Sequence, residues 1–193
     1  MANKNLSLNE IDKLIPSEIF LMNTEFVAQF LLGKLLIVKH NDAILGGRIS
    51  ETEAYLDEND EASHSYRGKT QRNAAMFATG GTVYVYRSYG VHYCMNIVTE
   101  SENIGAAVLI RSIIPLFGID VMKHNRKTDN LTILCNGPGK LTQALGITIQ
   151  DNFKIINESN IFLLDDGNKP EFLATKRIGI SKSVDLPLRF VII

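Results

Sequence analysis

Residues 82–88 (TVYVYRS) and 91–98 (VHYCMNIV) are dense in β-branched and aromatic side chains and are separated only by a Tyr89-Gly90 step. Two such runs joined by so short a turn can pair only antiparallel, because a parallel pair needs a crossover of about a dozen residues or more. The chain is therefore expected to build an antiparallel sheet and to carry Tyr89 at the tip of a hairpin. An aromatic side chain in so exposed a place calls for something to contact.

The remaining segments fit around that hairpin. A capping box at Ser7-x-x-Glu10 and an amphipathic stretch opened by Thr24-Glu25 and ended by Gly33 predict two short helices in the first 33 residues. Residues 34–39 and 44–55, on either side of a His40-Asn41-Asp42 turn, read as extended, as does 106–112. Residues 115–123 and a segment opened by Gly137-Pro138-Gly139-Lys140 and running to 145 read as helices, with proline in a first turn where its missing N–H costs little. Residues 62–81 are polar and irregular, with room for a short helix over 70–77, and the last stretch alternates short strands and turns. No linker, repeat or low-complexity segment divides residues 1–193, so the expected fold is one mixed α+β domain with a mostly antiparallel sheet.

A chain of 193 residues, 45% hydrophobic and 21% charged, buries roughly 70% of its unfolded surface and needs neither disulfide nor metal to hold a core. Cys94 and Cys135 lie apart among apolar neighbours and are read as reduced core thiols. Without a basic segment followed by an apolar run at the start, or a stretch near ~18 apolar residues later, the expected location is cytoplasmic, away from membranes.

A net charge of −1 argues against a polyanionic partner, unless the positive charge is local. It is local. Six acids (Glu51, Glu53, Asp57, Glu58, Asp60, Glu61) crowd residues 51–61 without a base, whereas residues 62–90 hold four bases (Arg67, Lys69, Arg72, Arg87) without an acid. Charge runs are usually solvated faces; here the alternative is a polyanion footprint beside an acidic pocket.

Within 47–55 (GRISETEAY), period-two alternation puts Ile49, Glu51, Glu53 and Tyr55 on one strand face. A carboxylate there could activate water if desolvated or steered by an arginine, and Arg111, the sole charge in the apolar run GAAVLIRSII, could steer it. A structural Arg–Glu pair remains equally open, and so does a divalent-cation site for a nuclease, although no DxD or His/Asp spacing supports a metal. His64 has no second histidine at ligand spacing. All six tyrosines (Tyr55, Tyr66, Tyr84, Tyr86, Tyr89, Tyr93) fall between 55 and 93, interleaved with bases, which suits base stacking as well as plain sheet packing. Gly137 to Lys140 lacks Walker spacing, but a helix start beside Lys140 could hold one backbone phosphate.

Taken in order, RISETEAYLDENDEASH, TQRNAAMF, GTVYVYRSYGVHYCMN, GAAVLIRSIIP, NGPGKLTQALGI and RIGI…LPLRF resemble the alkyladenine (3-methyladenine) DNA glycosylase family over about residues 31–190. Gln71, where the family often has proline, and Ser50, where it often has valine, depart from the pattern outside the chemistry. The resemblance implies an open-barrel-like curved sheet, flanked by helices, with a protruding hairpin. It implies monofunctional hydrolysis of the N-glycosidic bond of a damaged purine flipped from double-stranded DNA, by a monomer, with no cofactor, no metal and no Schiff-base lysine. Glu53 would be the general base, Arg111 would help hold the attacking water, and the Ile178 carbonyl would complete its cradle. Tyr55, His64 and Tyr86 would sandwich the base and Asn96 would crowd a guanine amino group. Tyr89 would fill the gap left in the duplex, with Lys69, Arg72, Met76 and Lys140 also meeting DNA. Glu51 would serve packing or the field around Glu53. A metal-dependent nuclease built on the 51–61 acids and a non-catalytic nucleic-acid-binding module are the rival readings.

Overall fold

A computed structural model describes residues 13–41, 43–88 and 90–193. The expected capping box at Ser7 and Glu10, the last residue of the His40-Asn41-Asp42 turn, and Tyr89 lie outside the described residues.

The strands are β1 (Leu35–His40), β2 (Ala43–Tyr55), β3 (Val83–Ser88), β4 (His92–Val98), β5 (Ala107–Phe117), β6 (Ile161–Leu164), β7 (Phe172–Thr175) and β8 (Arg189–Ile192). They form one curled antiparallel sheet in the order β3-β4-β5-β2-β1-β6, with β8 joined to β2 and β7 joined to β8. Helices α1 (Thr24–Phe30), α2 (Ile119–Arg126) and α3 (Pro138–Leu145) complete a mixed α+β fold whose sheet is a half-barrel. Among the described residues no helix is long and apolar enough to cross a membrane.

Each helix is delimited by local chemistry. Asn23 Oδ1 accepts the Glu25 and Phe26 amides to start α1, and Gly33, at φ +79°, turns the chain into β1. Pro138 occupies the first turn of α3, and Gly146 ends it in the left-handed region. Helix α3 buries Leu141, Ala144 and Leu145 against β4 and β5, while the Thr142 hydroxyl donates to the Tyr93 carbonyl.

The long strand β2 positions the site. Its first half pairs with β1 and its second half with β8, while β5 lies along the other edge. The expected strand at 106–112 continues to Phe117, so the helix expected over 115–123 starts only at Ile119. Pro115, opposite Gly47, is tolerated in the strand because it sits beside the register irregularity between Gly46 and Gly47, and Gly118, at φ +67°, makes the break. The helix expected over 70–77 shrinks to a 3-10 turn at Ala74–Phe77, because Thr70 and Asn73 spend their side chains on local backbone bonds.

A second irregularity corrects the expected face assignment. On β2 the step from Ile49 to Glu51 opposes the single step from Ile113 to Ser112, and on β5 the step from Ser112 to Ile110 opposes the single step from Glu51 to Thr52. Each strand thus carries one extra residue, Ser50 and Arg111. Ile49 and Ile113 point into the main core, and beyond the irregularity the core positions become Thr52, Ala54, Ile110 and Val108. Ile49 therefore does not share a face with Glu51, Glu53 and Tyr55. Bulges re-aim side chains in this way.

Candidate active site

On the face opposite the core, Glu51 and Glu53 of β2 meet Arg111 of β5. Arg111 Nε donates to Glu51 Oε1 at 2.9 Å and its Nη1 lies 3.3 Å from Glu53 Oε2. Arg189 of β8 also donates to Glu51 Oε1. Glu53 has no exposed surface, and its remaining polar contacts are equally specific: the Tyr55 hydroxyl donates to Oε2 at 2.9 Å and the Ile178 N–H donates to Oε1 at 2.8 Å. Burial, then the adjacent Glu53 charge, push the Tyr55 phenol well above its ordinary range, so it serves as a neutral donor. For Arg111, burial disfavours its charge, but the two carboxylates outweigh that and raise its pKa.

These groups border an open cavity of about 530 Å³ whose walls include Tyr55, His64, Arg72, Met76, Tyr84, Tyr86, Cys94, Asn96, Leu109, Arg111, Pro138 and Ile178. A second apolar cluster backs one wall: Ala75, Met76, Phe77, Tyr84, Val98 and Ala107, with Tyr55 and Tyr86 packed on it. The aromatic rings are mutually braced. His64 stands edge-on to Tyr86, with centroids 4.5 Å apart, and its Nδ1 is 2.9 Å from the Tyr84 hydroxyl. Burial raises the Tyr84 phenol to about 12 and pushes that of Tyr86 further still. Surrounding protein, then the Arg72 guanidinium, lower the His64 pKa, which keeps a neutral imidazole facing the cavity at about pH 7. Asn96 is buried, and its amide donates to the Tyr84 carbonyl at 3.0 Å, which fixes the orientation of the side chain.

The expected base-pocket residues Tyr55, His64, Tyr86 and Asn96 therefore converge with Arg111, Ile178 and Arg72, and Glu53 lies behind Tyr55 and Arg111. Ile178 also gives its N–H to Glu53, a bond separate from the expected role of its carbonyl in holding the water. Met76, expected at the DNA surface, is 2% exposed and contributes to the cavity wall. Lys69 and Lys140 stand outside the cavity, Lys69 near the Phe77 ring and Lys140 donating to Asn136. Tyr66 and Tyr93 do not line it, and Cys135 is a core thiol, whereas Cys94 is a wall residue rather than part of the deep core. The aromatic cluster of the sequence includes Tyr84 but does not show it as the brace of His64, a pairing across 20 positions that no local pattern reveals. Sequence reasoning also misses Asp60 and Arg177, whose side chains are fully buried and joined by two bonds of 2.6 Å. Among the described residues no three His, Cys, Asp or Glu side chains converge as metal ligands. Of the acid run, Glu51, Glu53, Asp60 and Glu61 each face a basic side chain.

A model of the methylpurine-DNA glycosylase (MPG) family matches residues 18–193. Its relatives include proteins that carry the name "Putative 3-methyladenine DNA glycosylase". The one from Francisella tularensis subsp. tularensis (strain WY96-3418) is 48% identical over 176 residues, covering 89% of this chain and 91% of its own. The one from Methanoculleus marisnigri is 46% identical over 181 residues (91% and 93%), and the one from Prosthecochloris aestuarii 47% identical over 174 (88% and 83%). The match spans the strands, the bulged Glu–Arg pair and the cavity alike, and the chain belongs to the methylpurine-DNA glycosylase family of DNA-repair enzymes.

Proposed function

We propose that this chain is a monofunctional glycosylase that takes alkylated or deaminated purines of the 3-methyladenine, 7-methylguanine, hypoxanthine and ethenoadenine class out of duplex DNA and hydrolyses their N-glycosidic bond. The observation that carries the reading is Glu53: a carboxylate with no exposed surface, held by Arg111, the Tyr55 hydroxyl and the Ile178 N–H beside an aromatic cavity. So costly a burial is hard to account for by stability alone, since buried ion pairs often do no better than apolar replacements. Desolvated titratable groups with specific charge partners cluster at reactive sites.

In this reading the extruded purine stacks among Tyr55, Tyr86 and His64, and the return on stacking, about 1–3 kcal/mol per base, offsets part of the cost of flipping. Phenols that stay neutral and an imidazole that stays uncharged leave no positive group stacked on a purine made cationic by alkylation, whose attraction to the ring faces is then cation–π in kind. Glu53 Oε1 accepts one N–H and keeps a second lone-pair direction, which in this reading meets a proton of water once the side chains covering Glu53 shift as the nucleotide enters. As the bond from C1′ to the purine nitrogen breaks and a purine made cationic by alkylation leaves, neutral, with the electron pair, the water oxygen bonds to C1′ and Glu53 takes its proton. An uncharged purine such as hypoxanthine must also gain a proton from a general acid as it leaves. An abasic sugar and a free base result. Asn96, fixed by its bond to the Tyr84 carbonyl, acts as the specificity contact toward a guanine amino group.

The DNA-facing surface in this reading is Arg72 at the cavity rim with Lys69 and Lys140 around it, Tyr89 keeps the role that the sequence resemblance gives it, and the protein is a cytoplasmic monomer. The test is release of free alkylpurine from methylated duplex DNA in a buffer containing EDTA. The reading expects free base, with strand breaks appearing only after alkali; breaks without alkali would contradict monofunctional hydrolysis.

A further inference from the structure

Behind Tyr55, on the side away from the cavity, lies an ion pair that the chemistry above leaves unused. Arg177 Nη1 and Nη2 donate to Asp60 Oδ2 and Oδ1, both at 2.6 Å, and Nη1 also donates to the Ala54 carbonyl at 2.9 Å. Both side chains are fully buried. The guanidinium carbon stands 4.6 Å from the centre of the Tyr55 ring. The Asp60 oxygens accept in turn from the Leu56 and Ala62 amides, at 3.1 and 3.2 Å, and so pin the loop that leads to His64. Arg177 precedes Ile178, whose N–H is bonded to Glu53. Arg177 Nε, alone among buried side-chain polar atoms of the described residues, has no partner.

Stability does not explain this arrangement, because an isolated buried pair struggles to recover its desolvation cost and this one leaves an N–H unmet as well. Its geometry does explain it. One guanidinium reaches three walls of the site: the ring of Tyr55, the loop bearing His64 and the strap bearing Ile178.

We propose that Arg177, locked by Asp60, is a positioning residue for hydrolysis, which sets the Ile178 N–H on Glu53 and backs Tyr55 so that its hydroxyl stays on the same carboxylate. The proposal rests on the reading of Glu53 as the base. Arg177 touches neither DNA nor the reacting atoms, so its loss acts on the chemical step and not on DNA affinity.

The test compares the natural protein with a double variant carrying Arg177→Met and Asp60→Asn, in which the introduced asparagine keeps an acceptor for the loop and the introduced methionine keeps apolar contact with Tyr55. A second variant, Arg177→Lys, keeps the charge on Asp60 but not the planar fork. The readouts are thermal unfolding, affinity for an alkylated duplex, and single-turnover release of 3-methyladenine at saturating enzyme. The expected result is a folded protein with unchanged DNA affinity and release slowed by on the order of a hundredfold in the double variant, and less in Arg177→Lys, as misplacement of a catalytic group costs. Release that is unchanged, or that falls only in proportion to the unfolded fraction, overturns the proposal. If the double variant does not fold, Arg177→Lys decides by the same criteria. Glu53→Gln is measured in parallel: if it still releases base, the underlying reading fails, whereas an inactive Glu53→Gln beside unimpaired Arg177 variants sinks the positioning role alone.

Discussion

Arg111 is the residue on which the site's charges balance, since it is shared between Glu51 and Glu53 while Arg189 engages Glu51 from the other side. Removing it leaves Glu53 buried with only the Tyr55 and Ile178 donors, and Arg111→Met is expected to destabilise the fold by up to about 3–5 kcal/mol, measured as a lower urea midpoint at neutral pH. An unchanged midpoint would mean that the remaining donors compensate for the lost charge. Tyr86 holds His64 edge-on and lines the cavity, so Tyr86→Ala removes a stacking face and part of the wall. Its expected cost is about 1–3 kcal/mol in binding of the flipped base, read as weaker affinity for damaged over undamaged duplex. Equal loss on both duplexes would assign Tyr86 to the fold rather than to the base.

At the scale of elements, the paired irregularities at Ser50 and Arg111 decide which side chains face the cavity. Deleting Ser50 leaves Glu51, Glu53 and Tyr55 on the cavity face, because Ile49, Thr52 and Ala54 then alternate directly, but it shortens the strand by one residue, about 3.3 Å, between its β1-paired and β8-paired halves. The deletion is therefore expected to pull Glu53 off Arg111 and the Ile178 N–H and to lower base release and thermal stability together. A stable, active deletion variant would show that the bulge is dispensable. The same bulge marks the limit of what the sequence reveals. Strand β2, the β3–β4 hairpin and α3 are legible because period-two alternation and a Gly-Pro helix start are local signals. Alternation alone puts Ile49 on the wrong face because an extra residue shifts a period of two without changing composition, and it stops β5 too early because Pro115 is normally a strand breaker. The linked pairs Lys34–Asp165 and Arg48–Asp166, which tie residues 165 and 166 to β1 and β2, are equally invisible, for they join positions more than a hundred residues apart. The Arg48 bond holds the Asp166 carboxyl below the usual range; for Asp165 burial is the largest influence and acts in the opposite direction, but the Lys34 bond, the Gly167 amide and the Lys34 charge together outweigh it and the result is the same. A carboxyl whose folded pKa is depressed stabilises above its unfolded value of about 3.9 and loses that contribution as pH falls through the lower folded value. Urea midpoints should therefore fall between about pH 5 and about pH 3, by less in Asp166→Asn than in the natural protein; parallel curves would assign the acid sensitivity elsewhere.

For the whole molecule, a net charge of −1 has to be reconciled with a polyanionic substrate. Pairing inside the fold does not change it, since Glu51, Glu53, Asp60 and Asp165 take up as many bases, Arg111, Arg177, Arg189 and Lys34. What reconciles it is placement, with Arg72 exposed at the cavity mouth and Lys140 at the start of α3. If Lys140 meets a phosphate, Lys140→Ala weakens binding to damaged and undamaged duplexes alike and reduces the slope of log affinity against log salt by about 0.9. An unchanged slope would place Lys140 off the DNA path. The motifs of the cavity are readable in the order of the sequence, whereas the clamp of Asp60 and Arg177 becomes visible only when the curled sheet brings positions 117 residues apart into contact. The account turns most directly on Glu53. Release of 3-methyladenine from alkylated duplex DNA is to be compared between the natural protein and Glu53→Gln, in EDTA and at matched DNA occupancy. The account predicts release by the natural protein and a loss of about a hundredfold or more in the variant, whose amide cannot take the proton from water. Release by Glu53→Gln at the natural rate would contradict it.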